Sequence, residues 1–211
     1  AMCNNYKPYN ISCILCCILL LISAKPCTAI TYTAVQNGYY KDIATWGGQT
    51  APLFFMAGDT ILIPEGITVT LDTDVVVSQA NTCITVNGVL RDTFIYLNGP
   101  HYFPLSIGNG AGFTGNGTVH LNLLNALPGL VIDIDDSMTI GTLNCSGMTQ
   151  YKPHNILTIK NNFAWVEGDY IFSAGTLILD TAASITIESG KISVPSNSSA
   201  VFDFSRPHTI H

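Results

Sequence analysis

The sequence predicts an all-β chain wound as a parallel β-helix. Three observations carry the prediction. No stretch from Tyr32 onward shows a helical period. Short apolar, β-branched runs recur instead, punctuated by Gly, Asn, Asp or Pro. Finally, "GDTILIPEGITVTLDTDVVVS" (Gly58 to Ser78) and "GTLILDTAASITIESGKISV" (Gly175 to Val194) each read as strand, turn, strand, turn, strand. Three strands in about twenty residues is the period of one solenoid coil. A β-sandwich or jelly roll is the alternative. It would show hairpin signals at every second strand and strict in/out alternation.

Residues 1–29 read as a leader. Lys7 and Lys25 bracket "ISCILCCILLLISA" (Ile11 to Ala24), which is apolar and uncharged. A basic start, a short apolar core and a small-residue exit describe a secretory signal peptide, cut after Ala24 or Ala29. The run falls short of the ~20 residues a spanning helix needs. An uncleaved signal anchor is the alternative, and the only membrane contact expected. Cys3, Cys13, Cys16, Cys17 and Cys27 lie here. Their C-x-x-C sits in an apolar run without the loop a zinc or redox site needs, so they read as small hydrophobes. Cys83 and Cys145 are left, about three coils apart. At ~4.8 Å per coil that is ~14 Å along the axis. A disulfide needs Cα atoms within about 7 Å, so both are expected unbridged.

Residues 30–57 read as an N-terminal cap. The end of a solenoid exposes unpaired sheet edges and a bare core, which must be covered. "NGYYKDIATWGG" supplies the cover: Trp46 as the plug, with Gly47 and Gly48 allowing the chain to turn tightly under it. The competing reading of Trp46 is a sugar-stacking platform. Residues 58–211 then form the coils, roughly seven to nine if regular. "NGPHYFPLSIGNGAGFTG" (Asn98 to Gly115) is expected as an insertion that lowers that number.

The cap and first coil also carry a resemblance. "YYKDIATWGGQTAPLFFMAGDTILIPEGITVTLD" (Tyr39 to Asp72) resembles the start of the extracellular domain named for its eight glycines, and related bacterial secreted β-helix surface proteins. Asp42, Trp46, Gly47, Gly48, Pro52, Gly58, Asp59, Ile61, Ile63, Pro64, Gly66, Val69, Leu71 and Asp72 carry it. The resemblance implies a right-handed β-helix on a secreted or membrane-anchored protein, with Asp59 part of the cap motif. Some animal members accompany hyaluronan-processing activity, others are receptor-like, and most bacterial relatives look like adhesins. No catalytic residue carries over.

Composition narrows the function. Charged residues make up 10%, against a usual ~25%, and the net charge is -6, which excludes a nucleic-acid partner. Asp133, Asp135 and Asp136 in "VIDIDDSM" form the densest acidic cluster. They read as a calcium site, as acid/base carboxylates, or as solvated residues on a strand whose Ile132 and Ile134 point inward. The last reading is adopted, and no cofactor is expected. Arg91 and Arg206 are the only arginines, Lys160 alone is thin support for a lyase, and neither G-H-G nor G-x-S-x-G occurs. His101, His120, His154, His208 and His211 lack metal-ligand spacing and read as surface or loop residues. Beyond the leader, Asn116, Asn144 and Asn197 head sequons. Tyr102, Phe103 and Trp165 are read as packing rather than as a sugar face. The expected function is a secreted, cell-surface structural or adhesion module that binds extracellular glycans or other surface proteins, without catalysis of its own. A β-helix lyase or glycosidase, and a fibre subunit self-associating through the solenoid ends, are the alternatives.

Overall fold

A computed structural model describes residues 28–92, 95–96, 100–101, 103–147, 149–151, 156–167, 169–172, 175–180, 183–187, 191–193 and 201–203. Residues 1–27 of the expected leader, Tyr102, His154, Asn197, Arg206, His208 and His211 lie outside them. The chain is a right-handed parallel β-helix without helices among the described residues. One face is an eight-stranded parallel sheet of β1 (Thr31–Thr33), β3 (Thr60–Ile63), β6 (Cys83–Val86), β11 (Gly112–Gly115), β13 (Val131–Ile134), β15 (Thr149–Tyr151), β17 (Asp169–Phe172) and β20 (Lys191–Ser193). The second sheet stacks β2 (Gly38–Tyr39), β4 (Thr68–Leu71), β7 (Val89–Asp92), β12 (Thr118–Ala126), β14 (Ser137–Ser146), β16 (Ile156–Glu167), β18 (Thr176–Leu179) and β21 (Val201–Asp203). β5 (Val75–Val77), β10 (Leu105–Ile107) and β19 (Ser184–Ile187) join it as a third side, beside the far halves of β12, β14 and β16. A separate antiparallel pair is formed by β8 (Ile95–Tyr96) and β9 (Pro100–His101).

Alternation along each short strand sends every second side chain to the axis. The inward columns are Ile61, Ile84, Phe113 and Ile132 on the first sheet, and Val69, Leu90, Val119, Met138, Leu157 and Leu177 on the second. Val75, Leu105, Leu124, Leu143, Phe163 and Ile185 line the third side. All of these are buried. Their stacking, repeated coil on coil, is what no single coil could achieve alone.

Three sequence expectations need correction. β12, β14 and β16 run for 9, 10 and 12 residues, where the sequence suggested strands of four to seven. They round the corner between the second sheet and the third side as continuous strands, with the ladder interrupted at Asn122 and Gly141 and shifted in register between β14 and β16. The expected insertion at Asn98 to Gly115 is shorter, because Leu105–Ile107 and Gly112–Gly115 are regular core strands. Cys83 and Cys145 are both free. Along the stack their strands β6 and β14 are two layers apart rather than three, and Cys145 faces the core while Cys83 does not. Burial pushes the Cys145 thiol up to about 12.

The cap forms as its residues suggest. β1 and β2 are the first strands of the two sheets. Trp46 is 2% exposed, sits edge-on to Tyr40 at 5.4 Å, and donates its indole N–H to the Tyr40 carbonyl at 2.7 Å. The Tyr40 hydroxyl donates to the Pro52 carbonyl at 2.6 Å, and burial raises its pKa. Gly47 and Gly48 have φ of 64° and 92°, in the left-handed region that only glycine enters cheaply. Asp59 is buried. Its carboxylate accepts the backbone N–H of Ile30 and of Met56, each at 2.9 Å, which ties the incoming chain to the first coil.

Candidate functional site

The outward face of the second sheet carries an unbroken column. Tyr39 pairs with Thr70, Thr70 with Arg91, Arg91 with His120, His120 with Thr139, and Thr139 with Thr158. These inter-strand steps, at ~4.8 Å each, place polar and charged side chains along ~24 Å of the solenoid. Two open clefts follow the column and share Arg91. The first, about 360 Å³, is bounded by Asn37, Tyr39, Thr68, Thr70 and Arg91. The second, about 320 Å³, runs past Arg91, Asp92, His120, Asn122, Thr139 and Lys160.

Local structure explains how Lys160 reaches this cleft. Between β14 and β16 the register slips after Ile140, so that Lys160 and Asn161 stand where Gly141 alone stands on the neighbour. Alternation after buried Ile159 turns Lys160 outward, and its amine joins the cleft that Arg91 and His120 already line, while the slip adds Asn161 beside it. Gly141 forms the floor. A Cβ there would come within 2.6 Å of the Asn122 carbonyl oxygen and 3.1 Å of the Asn161 side-chain nitrogen.

The second fixed point is Asp92. Its carboxylate accepts the backbone N–H and the side-chain N–H of Asn122, both at 2.7 Å. Desolvation raises its pKa, and the two Asn122 hydrogen bonds oppose that rise. Arg91 is held from the other side, donating its Nε–H to the Thr70 hydroxyl at 3.2 Å.

The cleft thus combines Arg91, Lys160 and His120 with one carboxylate, on a chain whose net charge is -6. Hydroxyls and amides fill the rest of the column, and Tyr39, 53% exposed, offers a ring at its end. This chemistry suits a hydroxylated, negatively charged, elongated ligand. Arginine forks match carboxylate or sulfate oxygens, threonines and asparagines exchange hydrogen bonds with hydroxyls, and a tyrosine face stacks on a sugar ring.

The sites expected from sequence are distributed differently. Ile132 and Ile134 are buried, Asp133 is half-buried, and Asp135 and Asp136 are exposed, as in the solvated reading. Asp136 accepts a hydrogen bond from the Thr118 hydroxyl at 2.8 Å. Among the described residues no three His, Cys, Asp or Glu side chains form a metal-binding group. His120 is on β12 and exposed, a surface residue as expected. Phe103 packs against the core, and Trp165 lies on β16. The Arg91, His120 and Lys160 grouping was missed. The one available signal was that both Arg91 and Lys160 are cations on β-runs of a chain poor in charge. No protein-family model matches this chain, and neither does any curated protein or solved structure.

Proposed function

We propose that the protein is a secreted, surface-associated β-helix that binds an extended acidic glycan along the second sheet, without cleaving it. The observation that carries this reading is the continuous column from Tyr39 to Thr158, with Arg91, His120 and Lys160 gathered over its centre. The signal-peptide pattern of residues 1–29 and the likeness of residues 39–72 to the eight-glycine domain support an extracellular setting. Binding is favoured over hydrolysis because paired-carboxylate cleavage of a glycosidic bond needs two acids flanking it. The described lining of the cleft has one, Asp92.

The test is binding of the full chain to immobilised polyuronates, sulfated glycosaminoglycans and neutral glucans. Binding to an acidic polysaccharide, weakened by salt and reduced about tenfold or more in the R91A/K160A double variant, is expected. Equal binding by the variant, or binding to none of the panel, would rule the reading out.

A second reading has its own observation. Ile30, Val35, Tyr39, Ile43, Leu53, Phe54 and Met56 are exposed large hydrophobics, and all belong to the cap. Together with β1 and β2, the end strands of the two sheets among the described residues, they favour end-to-end association of solenoids. Sedimentation that shows a monomer at high concentration would remove it.

A further inference from the structure

The two described sequons differ in what their asparagines do. Asn116 lies on the turn between β11 and β12 and is exposed. Its backbone N–H reaches the Asn87 side-chain oxygen at 3.4 Å. Beside it is an open cleft of about 350 Å³ lined by Leu62, Pro64, Glu65 and Asn87. Asn144 is half-buried in the middle of β14. Its Nδ2 donates to Asn125 Oδ1 at 2.9 Å, and Asn125 Nδ2 donates to the Ser106 hydroxyl at 3.0 Å. The three side chains therefore form a ladder across successive coils, at a strand spacing of ~4.8 Å. The next residue, Cys145, is buried in the core.

We infer that Asn116 is an N-glycan attachment site, and that Asn144, despite its sequon, is a structural rung. The reaction joins the Asn116 Nδ2 to the anomeric carbon of a lipid-diphosphate-linked oligosaccharide. The new C–N bond forms, the anomeric C–O bond to the carrier phosphate breaks, Nδ2 gives up a proton, and the lipid diphosphate leaves. At Asn116 the product projects from a turn into solvent, with the cleft giving room for the first sugar. At Asn144 the same bond would sit on the nitrogen that donates to Asn125. It would also thrust a sugar between rungs too closely spaced to hold one.

The test is expression of the full chain, with its own leader, in a eukaryotic secretory host. Asn10→Gln and Asn197→Gln are present throughout, so that the leader sequon and the last sequon do not contribute. Secreted and cell-retained protein are both treated with peptide N-glycosidase in isotope-labelled water, and each sequon peptide is mapped for conversion to labelled aspartate. Label at Asn116 and none at Asn144 is expected. Asn116→Gln should remove the whole glycan mass and leave the melting temperature of the deglycosylated protein unchanged. Asn144→Gln should leave the glycan mass unchanged and lower that melting temperature. Label at Asn144, or an unlabelled Asn116, overturns the inference.

Discussion

Replacing Trp46 by alanine should unravel the solenoid from its N-terminal end. The indole is 2% exposed, stacked edge-on against Tyr40, and bonded to the Tyr40 carbonyl at 2.7 Å. Removing a buried aromatic to alanine costs about 3–5 kcal/mol through lost transfer energy and the cavity left behind. The buried carbonyl of Tyr40 loses its donor as well, which adds about 1 kcal/mol. The sum is comparable with much of an ordinary domain's stability of ~5–15 kcal/mol. In a solenoid the loss is local, because each coil contacts only its neighbours. Amide hydrogen exchange reads this directly. Backbone amides that join the cap to the first coil, such as Ala34 to Leu62 and Tyr40 to Thr70, should lose protection, while those of β12 and β14 keep theirs. Trp46→Phe, which keeps an aromatic ring but loses the N–H, should cost about 1–2 kcal/mol and leave the cap protected. Unchanged protection of the cap amides in Trp46→Ala would refute the plug and return Trp46 to the role of a ligand platform.

Two further outcomes follow from the titrating groups. Asp92 has its pKa raised by desolvation, so the folded chain holds its proton at a pH where the unfolded chain has lost it. Between the ordinary carboxylate pKa of ~3.9 and the raised folded value, stability should therefore fall as pH rises, and this cost persists above that window. Denaturation midpoints across the acid range should show that slope reduced in Asp92→Asn, and an identical slope would contradict the placement of Asp92. Cys145, its thiol raised to about 12 by burial, should resist alkylation in the folded chain while half-buried Cys83 reacts. Peptide mapping that finds both labelled at equal rates would contradict the inward register of β14.

The fold was legible wherever turn residues mark the coil corners. In Gly58 to Ser78, Pro64, Gly66 and Asp72 separate three strands, and β3, β4 and β5 fall between them. β12, β14 and β16 run longer than their sequences suggest because no turn sequence marks their corner, where β14 has only the bare Gly141 and β16 carries a bulge. The solvated reading of Asp133, Asp135 and Asp136 was available from simple alternation with Ile132 and Ile134. The groove was not legible in the same way. Arg91, His120 and Lys160 are separated by unequal stretches of chain, because the β8–β9 pair interrupts the coil between the first two and two coils lie between the last two. Only the strand register aligns them, and no local pattern encodes that register.

The central claim is that acidic glycan lies along the outward column of the second sheet. The most direct measurement is a crystal structure of the chain grown with an acidic oligosaccharide that it binds. The account predicts sugar density running from Tyr39 past Arg91 and His120 to Lys160, with anionic groups at the guanidinium and the amine. Density seated on the first sheet or on the exposed cap, with that column empty, would contradict it.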